Sequence, residues 1–241
     1  MRNNNYFILR KIFIYLSLFI ITNFLCLRLF KKTTIQDIEI VGTNLISKKN
    51  LINNSSLKFP SRLIYINTKY LEEELKQNLS LKNISINRNL IPFGLKIYIE
   101  TREPIALGEK LNKDKIIKGY IDKEGFFIHE KFASIGENKE LNIKITGWNK
   151  NYRHAISKIL KAQEKFENDL ISIKIAPSGF LTLKDKSLKN IKLGSDLTKI
   201  ETQLSLISDI KNQLIKRDVI KKIESLDLSD PNKPIIKVFK P

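Results

Sequence analysis

The stretch Ile12–Phe30, IFIYLSLFIITNFLCLRLF, is broken only by Ser17, Thr22, Asn23 and Arg28. At a rise of about 1.5 Å per residue a helix of this length crosses a hydrocarbon layer of roughly 30 Å, with the Arg28 side chain reaching outward to water. It reads as one transmembrane helix behind a tail of residues 1–11. Arg2, Arg10 and Lys11 resemble the basic start of a cleaved signal peptide, but no small-residue cleavage pair comes after the run. Leu25 is too bulky for lipoprotein processing at Cys26. An uncleaved anchor is therefore the reading. Arg2, Arg10 and Lys11 on one side balance Arg28, Lys31 and Lys32 on the other, so the positive-inside rule does not orient the helix. A very short tail before a long C-terminal part favours a cytoplasmic N-terminus and an exported domain.

The chain beyond the anchor must fold by ordinary core packing. Cys26 is the single cysteine, so no intramolecular disulfide can form. The 241 residues with 42% hydrophobic content are enough for a real core. Lys+Arg of 43 against Asp+Glu of 25 gives a formal charge of +18, which suits an anionic membrane surface or a phosphate-bearing partner. The lysines are spread over every segment, and no RNP-like or Cys/His signature accompanies them, so nucleic acid is not an expected partner. His129 and His154 have no companion at helical or hairpin spacing. No metal, no cofactor and no small-molecule substrate is expected.

Ile35–Val41 alternates apolar and polar residues and ends at Gly42-Thr43-Asn44, which predicts a strand and a turn. Gly42 is expected at positive φ. Ser47 is a natural N-cap for a short helix over KKNLINNS. Asn67 or Thr68 caps KYLEEELKQNL, where Tyr70, Leu71, Leu75 and Leu79 fall at helical spacing and Glu72, Glu73 and Glu74 lie near the positive end of the helix dipole. Two strands come next, Leu81–Asn89 with Ile84 and Ile86 on one face, and Leu95–Thr101 with Leu95, Ile97 and Ile99 alternating around the Pro92-Phe93-Gly94 connection. Arg102-Glu103 reads as a solvated strand end.

Past Pro104 the pattern becomes strand-rich. Gly119–Gly125 and Phe126–Ile128 read as two short strands around a Lys123-Glu124-Gly125 turn, and Asn142–Thr146 alternates. A helix is expected over about 151–168, burying Ile156, Ile159, Leu160 and Phe166. Strands at 171–176, 180–183 and 191–193 precede a second helix over about 196–217, with Leu197, Ile200, Leu204, Ile207, Ile210 and Leu214 at spacings of three and four. Residues 223–228 and 235–239 close the chain as a hairpin-like pair.

The segments IQDIEIVGTNLISKKNLIN, LIYINTKYLEEEL and LKNISINRNLIPFGLKIYIETREPIAL resemble the POTRA domain of the FtsQ/DivIB family of bacterial division proteins. Glu100, Arg102, Glu103, Pro104 and Ala106 match its Er-P-A ending, and Gly42 and Asn44 match its first turn. Asn67 replaces the acidic cap usual there, and caps equally well. Ile121-Asp122-Lys123-Glu124-Gly125, Leu193-Gly194 before a helix, and LDLSDPNKPIIKV are similar to the FtsQ β domain. The resemblance implies an α+β chain: a cytoplasmic tail over 1–11, a transmembrane helix over 12–30, a β-α-α-β-β POTRA domain over 33–102, and over 103–241 a mixed β-sheet domain with two flanking helices.

No nucleophile elbow, phosphate loop or metal cluster can be assembled, and Asp122 and Asp227 stand at strand ends without a base partner, so catalysis is not expected. Binding remains. A sheet whose last strand lies at the C-terminus leaves main-chain groups open to a partner strand. The resemblance implies a non-enzymatic, single-pass scaffold of the bacterial plasma membrane, with its C-terminal domain periplasmic and enriched at the division septum. It would recruit divisome membrane proteins resembling FtsB and FtsL. The residues implied at that edge are Asp227, Leu228, Ser229, Ile235, Ile236, Lys237 and Val238, without the family's aromatic anchors. The alternative is a POTRA-bearing chaperone or assembly factor for exported or outer-membrane proteins, for which neither several POTRA units nor barrel strands of about ten residues are seen.

Overall fold

A computed structural model describes residues 2–112, 115–135, 140–163, 169–216, 220 and 223–239. The chain divides into two compact units, Met1–Thr101 and Arg102–Pro241.

The first unit begins with α1, Arg2–Phe30. Its stretch Arg10–Arg28 is long and apolar enough to cross a membrane. Its apolar side chains stand open there: Phe13 is 72% exposed and Leu27 75%, an arrangement water would penalise and lipid would not. Its polar residues do not break it. Ser17, Thr22 and Asn23 donate to the carbonyls of Ile14, Leu18 and Phe19 in the preceding turn, so each of these three side chains has a partner within the helix itself.

Beyond α1, β1 (Lys32–Thr33) pairs with β3 (Ser61–Arg62), while β2 (Ile38–Val41), β4 (Asn83–Leu90) and β5 (Phe93–Glu100) form a sheet in the order β2-β5-β4. β2 runs parallel to β5 and β4 antiparallel to it. The helices α2 (Lys48–Asn53) and α3 (Thr68–Asn78) start at the expected caps, with Ser47 accepting from the Asn50 amide and Asn67 from that of Tyr70. Leu51, Leu71, Leu75 and Leu79 meet Ile84, Ile86, Leu95, Ile97 and Ile99 in one core.

Three expectations are corrected here. Ile35–Asp37 is a 3-10 turn, not the start of the strand, because the Asp37 carboxylate accepts from the Thr34 amide at 2.7 Å and its hydroxyl at 2.8 Å. Those bonds, led by the amide, hold the Asp37 carboxyl below its usual range. Tyr70 is 57% exposed and lies off the buried face of α3. The glutamates fall beyond the first helical turn, where the dipole has little reach. They act as acceptors instead: Glu72 takes the Ile86 amide at 2.6 Å and Glu74 the Ser56 amide at 2.8 Å, tying α3 to β4 and to the loop after α2.

The second unit is built on one large sheet of β6 (Ala106–Asn112), β7 (Lys115–Ile121), β8 (Phe127–His129), β9 (Lys144–Thr146), β10 (Leu170–Ile175), β11 (Leu181–Asp185), β12 (Lys189–Gly194), β13 (Ile223–Asp227) and β14 (Ile235–Val238). Their order is β14-β13-β12-β11-β10-β9-β6-β7-β8. β9 and β10 are parallel neighbours, as are β12 and β13, and each such pair needs a crossover. The helices α4 (Arg153–Lys161) and α5 (Ile200–Lys216) supply them. Ile156, Ile159 and Leu160 of α4 and Ile200, Leu204, Ile207 and Ile210 of α5 are buried against Ile145, Ile173, Leu183, Ile191 and Leu226.

β6 is a strand that the residue pattern does not announce, and α4 is shorter than 151–168, with a 3-10 turn over Lys150–Tyr152 before it. Phe166 lies outside the described residues. Arg102 is no solvated strand end. It is 7% exposed, with its guanidinium 2.6 Å from Asp122, 3.1 Å from Glu124 and 3.5 Å from the Phe126 ring centroid. A charge so buried persists because two carboxylates and an aromatic face compensate it, although its Nε is buried without a hydrogen-bond partner.

Candidate functional site

The residues anticipated at the C-terminal edge fall into two groups that the fold separates. β13 is rooted in the core. It pairs with β12 through Asn190↔Ser225, Ile191↔Leu226 and Lys192↔Asp227, and Ile223, Leu226 and Leu228 are at most 1% exposed. The Leu228 side chain is therefore interior, and its amide donates to the Lys192 carbonyl at 2.8 Å.

β14 is different. It pairs antiparallel with β13 through Asp227↔Ile235, Leu226↔Ile236 and Ser225↔Lys237, and it is the last strand in the sheet order. All four of its residues are exposed: Ile235 by 56%, Ile236 by 41%, Val238 by 56%, and Lys237 as well. These apolar side chains do not complete the protein's own core. The opposite end of the sheet is β8, only three residues long and passing directly into a 3-10 turn at Glu130–Phe132, which makes it a poorer template.

The hairpin that presents β14 is fixed by short local hydrogen bonds, two to side chains and one within the main chain. Asp227 accepts from the Ser229 amide at 3.0 Å, Asp230 accepts from the Asn232 amide at 3.1 Å, and the Lys233 amide closes on the Asp230 carbonyl at 3.0 Å. The Ser229 amide, outweighing partial burial, keeps the Asp227 carboxyl below the usual range. Asp227 is thus a turn acceptor.

Gln203 is a residue that sequence reasoning missed. Its side chain is fully buried on α5, and its Nε2 donates to the Leu193 carbonyl at 2.7 Å and the Leu228 carbonyl at 2.8 Å, joining the ends of β12 and β13. The available clue is a polar residue standing on the apolar face of α5 between Ile200 and Ile207. Gly194 leaves room there: its φ is +81°, and a Cβ would stand 3.3 Å from that of Ser229. Phe239, 54% exposed just past β14, is a second residue that the edge adds.

Other acidic residues are taken up structurally. Asp122 accepts from the Glu124 and Phe126 amides as well as from Arg102. Burial pushes the Asp185 carboxyl up against the opposing amides of Leu188 and Ser187. Burial also pushes on Asp169, but bonds from Lys211 and Ser187 prevail and hold it low. Among the described residues no three His, Cys, Asp or Glu side chains are grouped to hold a metal ion. The edge offers main-chain donors and acceptors flanked by apolar and cationic side chains, the chemistry of strand addition.

Known proteins are similar to this chain in sequence. Residues 33–102 match the POTRA domain of FtsQ type. The chain is 28% identical over 242 aligned residues to the cell division protein DivIB of Clostridium botulinum strain Loch Maree, covering 95% of this chain and 90% of the relative. It is 25% identical to DivIB of Clostridium acetobutylicum over 206 residues, covering 85% of this chain and 63% of that relative. With a helix long and apolar enough to cross a membrane, a POTRA domain of FtsQ type over residues 33–102 and a mixed sheet, the chain is similar to the DivIB cell division proteins over nearly all of its length, and these likenesses support a cell division role.

Proposed function

We propose that this protein is a non-enzymatic scaffold of the divisome whose exported domain binds other single-pass division proteins, of the FtsB and FtsL kind, along the outer edge of β14. The observation that carries this reading is the exposure of every residue of β14 at the end of the sheet. A partner strand laid there would gain main-chain hydrogen bonds from the edge, while Ile235, Ile236, Val238 and Phe239 would lose apolar surface to water. Lys237 adds a preference for an acidic partner strand. Asp227 and Ser229 shape the hairpin, and Leu228 anchors it. The tail over 1–11 would be cytoplasmic, the span 12–30 in the plasma membrane, and the POTRA domain over 33–102 and the β domain over 103–241 outside the cytoplasm, gathered at the septum.

The test is a pull-down of the full chain from detergent-solubilised membranes of the source cells. Alongside it run a chain ending at Asp230 and an Ile236→Asp/Val238→Asp variant, which places charge on the edge. Retention of a small bitopic pair by the full chain alone supports the proposal. Equal retention by all three moves the site to the POTRA domain and defeats the β14 assignment.

A further inference from the structure

The POTRA unit carries a second apolar surface that the β14 edge does not use. The turn between β4 and β5 lies against the last turn of α1: the Arg28 guanidinium donates to the Leu90 carbonyl at 3.1 Å, and the Lys31 ammonium stands 4.9 Å from the Phe93 ring centroid. The Leu63–Tyr65 turn packs beside the same helix. Arg28 ends the stretch that is apolar enough to cross a membrane. Both turns are therefore held at the level where hydrocarbon gives way to headgroups.

Their exposed side chains suit that level. Ile91 is 75% exposed, Tyr65 69% and Ile64 42%, and Arg62 stands 5.9 Å from the Tyr65 ring centroid. In water this would be an unexplained apolar surface on a small module. At a membrane interface, a Tyr with a polar tip and aliphatic residues flanked by basic ones is an ordinary anchor. The charge around it is mostly basic, from Arg28, Lys31, Lys32 and Arg62, and of the two carboxylates beside the β4–β5 turn, Asp37 and Glu39, the latter is paired with Lys96 at 3.1 Å. Asp37, which feels the charge of Lys31, has its carboxylate engaged by Thr34.

We infer that the β4–β5 turn and the Leu63–Tyr65 turn form a lipid-docking surface that seats the POTRA domain on anionic phospholipid, with Ile91 and Tyr65 entering the headgroup layer and Arg28, Lys31, Lys32 and Arg62 facing lipid phosphates. A module seated in this way would have its tilt on the membrane set by the bilayer, not only by its tether to α1.

The experiment uses the full chain in vesicles, with Cys26→Ser and Ile91→Cys carrying an environment-sensitive fluorophore. Vesicles are of phosphatidylcholine alone or of phosphatidylcholine with phosphatidylglycerol, doped with headgroup-proximal nitroxide lipid. The expected result is lipid quenching at residue 91 that is stronger with phosphatidylglycerol, and loss of that difference in a Lys31→Glu/Arg62→Glu chain. Quenching by aqueous iodide alone, or equal quenching in the two compositions, overturns the inference. Shielding from both lipid and iodide would mean that protein covers the turn, and also overturns it. The comparison of compositions needs no charge substitution, so it stands even if that variant inserts poorly.

Discussion

The Arg102 guanidinium and the Asp122 carboxylate meet at 2.6 Å with only 5% and 8% of their side chains exposed, joining the first residue of the large-sheet unit to the turn after β7. Breaking one side of a buried pair leaves the other charge without compensation. Arg102→Met is expected to lower the stability of the unit by about 3–5 kcal/mol. Arg102→Lys should recover only part of this, because an ammonium cannot reach Asp122 and Glu124 while stacking on Phe126. Unfolding of the detergent-solubilised chain, followed by the fluorescence of its single tryptophan, Trp148, reports both variants.

Gln203 gives a separate handle on the β14 hairpin. Gln203→Leu strips donors from the Leu193 and Leu228 carbonyls and should cost about 2 kcal/mol or more. Gln203→Glu turns a carboxylate toward two carbonyl oxygens, so its folded-state pKa must lie above the unfolded value. This variant binds more protons folded than unfolded, and its stability deficit should shrink as pH falls toward about 4. A deficit independent of pH would show that Gln203 does not hold those carbonyls.

His129 is expected to make the large sheet sensitive to mild acid. Burial first, and then the charges of Lys110 and Lys131, hold its imidazole below the ordinary histidine range. The Lys110 ammonium lies 3.5 Å from its ring, and Phe127 packs edge-on at 5.5 Å. As pH falls through about 6.5 the unfolded chain takes up the proton first, so stability present at neutral pH is lost on acidification. His129→Gln should flatten this part of the melting-temperature profile between about pH 7.5 and 5.5. An unchanged slope would remove His129 as its source.

Gly42 is a backbone requirement of the first unit. Its φ is +102°, and a Cβ there would sit 2.3 Å from the Ile99 carbonyl oxygen. Gly42→Ala should destabilise the POTRA core by about 2 kcal/mol or more through strain and displacement of β5. Trp148 lies in the other unit, so limited proteolysis within residues 33–101 is the suitable measure. Faster cleavage there, with Trp148 fluorescence unchanged, is the expected outcome.

Features that depend on a few consecutive residues are legible in the sequence. The apolar run of α1, the caps Ser47 and Asn67, the positive φ at Gly42 and the three-four spacing of α5 are each set by local sterics, hydrogen bonding or periodicity. The edge residues Ile235, Ile236 and Val238 can be named as a strand. Whether they are core or surface cannot be read there, because an apolar strand looks the same in the middle of a sheet and at its rim.

By itself, then, the sequence determined a membrane helix, an α+β chain behind it and the helices that cross between strands, since these arise from short-range chemistry. Tertiary structure alone decided the rest. ALGEKLN becomes β6 only because β7 and β9 flank it. Ile35–Asp37 leaves the strand because Asp37 folds back on Thr34. Arg102 is buried because Asp122, twenty residues away, waits for it. β14 reaches the rim because α5 carries the chain across to set β13 beside β12, leaving its hairpin partner the outermost place. Each of these outcomes depends on contacts between residues distant in the chain, whose free energy exists only once the partners have been brought together.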